Sequence, residues 1–383
     1  MQRTLNPMTF GTATYAARQI RVCKFRVGKI LALKVIAFPV LAATVFLLEV
    51  SAQTGSCSDA LQMFRQHRWS DAAAAFDECE QRNPGTTDAL LYRGKALINL
   101  HNFDDAAGAL HTYAQSHPQS DDAVYLLAYI SFRNDDPTQS LRLFAEAAKL
   151  KPPSANDMTI AALDYVLLKD YTDAAHYLEL SLKMNPEDSE ARYHLGRVRY
   201  QQNQFDLAIS AFEEVLARDP KNMKAQDNLG LSLEAKDQAE SAIAAYKKAI
   251  ELDESTPMHS EQPYLNLGSL LAKSSRYEEA IPLLTKAVEI APGQFKVHYE
   301  LARAYFDSNR FEPARQQAEK AVELDPKDSS GHYLLGRIYQ RLGQKDLAKK
   351  QFQTTSELLH DKDSHSPGGM ATGTDSREMD SHQ

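Results

Sequence analysis

Beyond residue 52 the apolar residues of this chain recur at helical spacing, in paired stretches separated by short polar breaks. One pair shows the rule. Tyr193, Leu195 and Val198, with Gly196 among them, form a first stripe, and Leu207, Ala208, Phe212, Val215 and Leu216 form a second. Steps of three and four residues place each set on one face of a helix. An Asp-Pro or Asn-Pro pair ends the second helix, because proline cannot continue a helix and pushes the residue before it out of the helical region. The pattern therefore predicts helical hairpins.

These hairpins return on a 34-residue beat. A small residue in the second helix recurs as Ala72, Ala106, Ser140, Ala174, Ala208 and Ala242, then after a 38-residue step as Ala280, Ala314 and Ala348. Three residues before it an aromatic appears as Trp69, Phe103, Tyr171, Phe205, Tyr277 and Phe311. Four residues after it a bulky side chain appears as Phe76, Leu110, Phe144, Leu178, Phe212, Tyr246, Leu284 and Phe352, with Ala318 the exception. The closing proline recurs as Pro84, Pro118, Pro152, Pro186, Pro220, Pro292 and Pro326, and only Glu254 and His360 break the series. On the first helix a small residue, Gly94, Gly196, Gly230, Gly268 or Gly336, or Ala60, Ala128, Ala162 or Ala302, is expected to face the small residue of the second where the helices cross. A fixed period of this length means stacked units, none of which buries its apolar face alone.

The Leu-Gly pairs (Leu195-Gly196, Leu229-Gly230, Leu267-Gly268, Leu335-Gly336), the small residue twelve positions later, the bulky one beyond it and the proline together resemble the tetratricopeptide repeat (TPR). Nine units are expected, at 53–86, 87–120, 121–154, 155–188, 189–222, 223–256, 261–294, 295–328 and 329–362. The resemblance implies an all-α, right-handed superhelical solenoid over residues 53–362. Residues 363–383 (DSHSPGGMATGTDSREMDSHQ) lack apolar content, which predicts a disordered polar tail.

The resemblance also implies a concave groove lined by the first helices. In units two to four the groove positions hold Tyr92, Tyr125, Tyr129, Phe132, Ile160, Leu163 and Val166. In units five to nine they hold His194, Arg197, Tyr200, Asn228, Asn266, Lys296, Tyr299, Arg303, Tyr333 and Arg337. Arginines at one groove position in three units (197, 303, 337) suit a carboxylate-bearing or extended peptide, since guanidinium forks take carboxylates in two parallel bonds. The alternative is ordinary solvated helix surface and inter-unit packing. The family's chaperone-binding carboxylate clamp is matched poorly: Asp227, Leu231 and Glu300 stand at three of its five places, and only Asn266 and Lys296 agree.

Charge adds a leader. The chain carries −8 overall, but residues 1–52 hold seven Lys/Arg and one Glu, leaving −14 for the remainder. An acidic body does not bind nucleic acid by bulk charge. Within the leader a 14-residue apolar run, Val35–Leu48, follows the cations Arg18, Arg21, Lys24, Arg26, Lys29 and Lys34 and precedes Ser51 and Ala52, as in a cleaved export signal with its site after Ala52. A retained anchor facing the body away from the cytoplasm and a mitochondrial presequence are the alternatives. If the leader is uncleaved, it is the only expected membrane attachment. Cleavage would leave Cys57 and Cys79 as the sole cysteines, on the two helices of unit one. An even count in an oxidising compartment points to a disulfide, against two buried thiols.

No HExxH, GxxxxGK[ST], GxSxG or CxxC occurs, and the twelve histidines lack ligand spacing. The sequence therefore predicts no enzyme, no cofactor and no metal. It predicts an exported, periplasmic or anchored scaffold that binds an extended peptide or partner helix for assembly or trafficking of an envelope complex. The alternative is an accessory module of a polysaccharide-processing envelope enzyme supplied by another chain.

Overall fold

The computed structural model describes residues 57–85, 88–255 and 259–364. The expected leader (1–52) and nearly all of the expected tail lie outside them. The described helices fall within the compact unit that begins at Ser56. In chain order they are α1 (57–65), α2 (Trp69–Arg82), α3 (Ala89–Asn99), α4 (Phe103–Ser116), α5 (Asp121–Arg133), α6 (Pro137–Leu150), α7 (Ala155–Leu167), α8 (Tyr171–Met184) and α9 (Ser189–Gln201). The second half holds α10 (Phe205–Arg218), α11 (Met223–Ala235), α12 (Ala239–Glu254), α13 (Gln262–Lys273), α14 (Tyr277–Ile290), α15 (Phe295–Asp307), α16 (Phe311–Leu324), α17 (Ser329–Arg341) and α18 (Lys345–Ser364). There is no strand among the described residues. The last helix runs to Ser364, past the expected boundary at 362.

The same turn closes every hairpin. His67, His101, Asp135, Lys169, Asn203, Asp237, Ser275, Asn309 and Gly343 all have φ between 57° and 77°. The next N–H returns to a carbonyl five residues back, as from Asn102 to Leu97, Gln204 to Arg199 and Gln344 to Tyr339, each 2.9 Å. This is the left-handed helix closure that normally selects glycine, yet only the last unit uses one. At the other end of each unit, Asn185 (φ −129°, ψ 83°) and Asp219 (φ −127°, ψ 85°) leave the helix before Pro186 and Pro220. Side-chain caps restart the chain: the carboxylates of Asp136, Asp170, Asp188 and Asp328 and the Ser154 hydroxyl accept backbone N–H bonds at helix starts.

The small residues meet the expectation in part: a Cβ at Gly268 would lie 3.3 Å from the carbonyl of Ala280, but the nearest neighbour is the bulky residue of the second helix. A Cβ at Gly196 would lie 2.7 Å from the Phe212 ring, one at Gly230 2.6 Å from the Tyr246 ring, and one at Gly336 2.7 Å from the Phe352 ring. The first helix thus carries a notch that seats the bulky residue of the second. Burying a side chain such as Phe212 stabilises by about 1.5–3 kcal/mol.

The 38-residue step also has a physical basis. Helix α12 has sixteen residues, against fourteen in α10 and α14. Near its end the buried Asp253 carboxylate accepts from the Ser260 N–H at 2.8 Å and lies 3.1 Å from His259 Nδ1. The carboxylate ties His259 and Ser260 to the end of α12, in a unit that lacks the closing proline.

One joint is polar. Asp164, on α7, occupies a place that is Ala96, Ile130, Val198, Leu270, Ala304 and Ile338 in six units and the uncharged Gln62 and Ser232 in the other two. Asp164 and the neighbouring Ser140 are both 0% exposed, and neither side chain makes a hydrogen bond of full geometry. Burial pushes the Asp164 carboxyl up to about 7; Ser140 opposes this and the Asp136 charge adds to it.

First helices of neighbouring units touch one another: α3 with α5, α5 with α7, α9 with α11, α11 with α13, α13 with α15 and α15 with α17. Among the described residues no two second helices approach to the same degree. The first helices therefore share one face of the stack.

Candidate functional site

On that face, α9, α11, α13 and α15 border a recess of about 590 Å³. Leu231, Ala235, Leu265 and Leu270 give it apolar walls, with Leu265 and Leu270 buried. Tyr200 on α9 and Lys296 on α15 line it as well, as does Asn266 from α13. The hairpin geometry explains this. Leu265 and Leu270 belong to a core shared by units six to eight, while Asn266 is half-buried and Lys296 exposed.

Ion pairs cross-brace the rim. Glu234 Oε1 takes Lys273 Nζ at 2.7 Å, and its Oε2 accepts from the Tyr246 hydroxyl at 3.0 Å. Burial, then the Glu234 charge, raises the Tyr246 phenol far above its usual range. Glu300, 6% exposed, meets Arg303 Nη2 at 2.6 Å and Lys296 Nζ at 3.9 Å. Beneath the recess the Asn266 amide donates to both oxygens of buried Asp227, at 3.0 and 3.1 Å. Burial pushes the Asp227 carboxyl up to about 7, with Asn266 opposing and Glu261 adding.

Of the residues expected to line a groove, the recess unites Tyr200, Asn266 and Lys296. Asn228 donates its amide to the Tyr193 hydroxyl at 3.2 Å and to the Lys224 carbonyl at 2.8 Å, so it braces units five and six. His194 Nε2 lies 3.9 Å from Glu190, whose carboxyl it holds below the usual range. Tyr299 stacks on Phe295, and Arg303 is tied to Glu300. The guanidinium of Arg197 sits 5.9 Å over the Tyr193 ring. That of Arg337 sits 4.6 Å over Phe306 and 6.0 Å over the exposed Tyr333.

The aromatic stripe of units two to four is mostly core. Tyr125, Tyr129, Phe132 and Ile160 are buried. Tyr125 donates its hydroxyl to the Lys151 carbonyl at 2.8 Å, and burial followed by nearby carboxylates lifts that phenol to about 12. The Tyr129 hydroxyl accepts from Arg133 at 2.8 Å. Tyr92 is half-buried, stacked on Phe76 and edge-on to Phe64; Leu163 and Val166 are half-buried as well. Second helices account for this: Tyr125 packs edge-on to Phe144 of α6 and Tyr129 edge-on to Phe103 of α4.

Sequence reasoning did not foresee Leu231, Glu234, Leu265, Ser269, Leu270, Lys273 and Glu300 as a lining set. A signal existed for two of them. Leu231 and Glu300 had already appeared as departures from the carboxylate clamp. At the start of the stack, Cys57 and Cys79 form a disulfide with Cα atoms 5.5 Å apart. Among the described residues no group of three His, Cys, Asp or Glu is placed to hold a metal ion, and no helix is long and apolar enough to cross a membrane.

Family models for the tetratricopeptide repeat match residues 93–155, 161–222, 195–257, 271–338 and 329–354. The chain belongs to the tetratricopeptide-repeat family. This TPR chain is 23% identical over 155 residues to the BBSome complex member BBS4 of Xenopus tropicalis, which covers 40% of the chain and 30% of that protein. It thus spans under a third of that relative's length. Among solved structures, the APC/C hetero-tetramer Cut9–Hcn1 aligns over 73% of the chain and 54% of its own, at 16% identity and a TM-score of 0.54. The crystal structure of MamA aligns over 45% of the chain and 98% of its own, at 26% identity and a TM-score of 0.41. The TPR solenoid is the shared fold, and the chain resembles TPR proteins of the protein-interaction class.

Proposed function

We propose that this TPR chain is an exported, non-catalytic scaffold that holds an extended peptide or partner helix along the face formed by its first helices. The recess between α9 and α15 carries the reading: apolar walls with a polar, partly exposed rim. Such a lining takes an apolar side chain and fixes its backbone through a few polar groups. Arg197 and Arg337 extend the surface, each over an aromatic ring and able to meet a partner's carboxylate. The Cys57–Cys79 disulfide supports an oxidising compartment, in keeping with the basic leader and apolar run. An envelope assembly or trafficking complex is the setting we infer, with no nucleic acid involved.

Cross-linking in native envelopes, followed by pull-down, tests the surface. Replacing Tyr200 and Lys296 by Ala, or Arg197, Arg303 and Arg337 by Ala, is expected to remove the main cross-linked partners while leaving the helical fold. Unchanged partners with both sets would refute the binding face. Sequencing the mature amino terminus tests export: a protein beginning at Met1 in the cytoplasm refutes it.

A further inference from the structure

Asn266 projects from α13 at the recess, and its orientation is dictated from below. Its Nδ2 lies 3.0 and 3.1 Å from the two oxygens of Asp227 on α11. Asp227 is only 3% exposed. An ionised carboxylate accepts and never donates, so it holds the amide nitrogen inward. The amide oxygen must then point the other way, where Gln262 Nε2 reaches it at 2.8 Å. Gln262 is exposed and able to move aside.

We propose that Asp227 is a positioning residue that locks Asn266 with its carbonyl outward, on the Gln262 side of the recess edge, so that the site reads a hydrogen-bond donor, the backbone N–H of an extended peptide. This deepens the binding-face reading and rests on it.

The lock depends on charge. Glu261 at the start of α13 adds a like charge, and the phenols of Tyr193 on α9 and Tyr246 on α12 face the same carboxylate. Among the described residues the nearby cations are engaged elsewhere: Lys273 is held by Glu234, Lys296 lies by Glu300 and Arg197 lies over Tyr193. A protonated Asp227 can itself donate to the amide oxygen, and Asn266 is then free to invert. Its burial places that change near pH 7. Peptide affinity is therefore expected to fall as pH drops through 7, by about two- to tenfold, the worth of one neutral hydrogen bond.

The probe is a pool of acetylated, amidated decapeptides of random sequence, selected on the folded chain at pH 8.5 and measured at pH 5.5, 7 and 8.5. Loss of affinity in acid, absent in Asp227→Asn, supports the lock. Selected peptides that bind equally at all three values overturn it while leaving the binding face intact. A pool that yields no binder overturns the binding-face reading. A second measurement needs neither ligand nor variant: the Asn266 side-chain amide resonances of the wild-type protein should titrate near pH 7, and invariant resonances overturn the lock.

Discussion

The Ser140–Asp164 joint offers a direct test of the packing argument. Replacing Asp164 by Asn keeps the shape and removes the charge. In the folded chain burial holds this carboxyl at about 7, against 3.8 for the free side chain. Between those values an unfolded chain has released its proton while the folded chain retains it. The folded state then binds more protons, so this residue makes stability fall as pH rises from about 4 to 7 and level off above. Three pH units of difference correspond to a penalty of about 4 kcal/mol above pH 7, an upper value for a buried carboxyl. Asp164→Asn should therefore be more stable than wild type at pH 8 and closely matched at pH 4. Asp227 adds a similar slope in both proteins and cancels in the difference. Repeat arrays open unit by unit, so hydrogen exchange in α6 and α7 is the suitable assay, with urea unfolding alongside. A variant no better protected than wild type at pH 8, or equally improved at pH 4, would show that Asp164 is hydrated or paired in solution.

Other expectations follow from the repeated geometry. Gly196→Ala puts a methyl against the Phe212 ring, and Ala208→Leu overfills a closed site; each should cost about 1–3 kcal/mol, read by thermal unfolding, whereas Gly108→Ala, with open space at its Cβ, should be neutral or stabilising. Lys169→Gly should stabilise by about 1 kcal/mol because Lys169 holds a left-handed φ of 63°, and Gly343→Ala should destabilise by a similar amount; urea midpoints decide both. Reducing Cys57–Cys79, which closes a 22-residue separation, should cost about 3 kcal/mol and expose α1 and α2 to protease before the rest; uniform digestion would contradict a local staple.

Much of this architecture was legible as period. A 34-residue recurrence of small, bulky and proline positions needs no coordinates, because each repeat solves the same steric problem with the same residue types. The hairpins from α1 to α18 follow from it, and so does the family. What the small residue meets first was not legible: periodicity showed that Gly196, Ala208 and Phe212 matter, but only the packed hairpin shows that the Phe212 ring fills the glycine notch. The same limit divides the groove residues. Tyr125, Tyr129 and Tyr200 stand at equivalent kinds of position on first helices, yet two are buried, against Phe144 of α6 and Phe103 of α4, while the third lines the recess. The difference lies in which side chains of other helices meet each ring, a long-range matter that no local pattern contains. Asp164 and Asp227 make the point most sharply. As letters they are two more acidic residues in an acidic body; burial by the adjoining unit, through desolvation, turns them into carboxyls that titrate near neutrality.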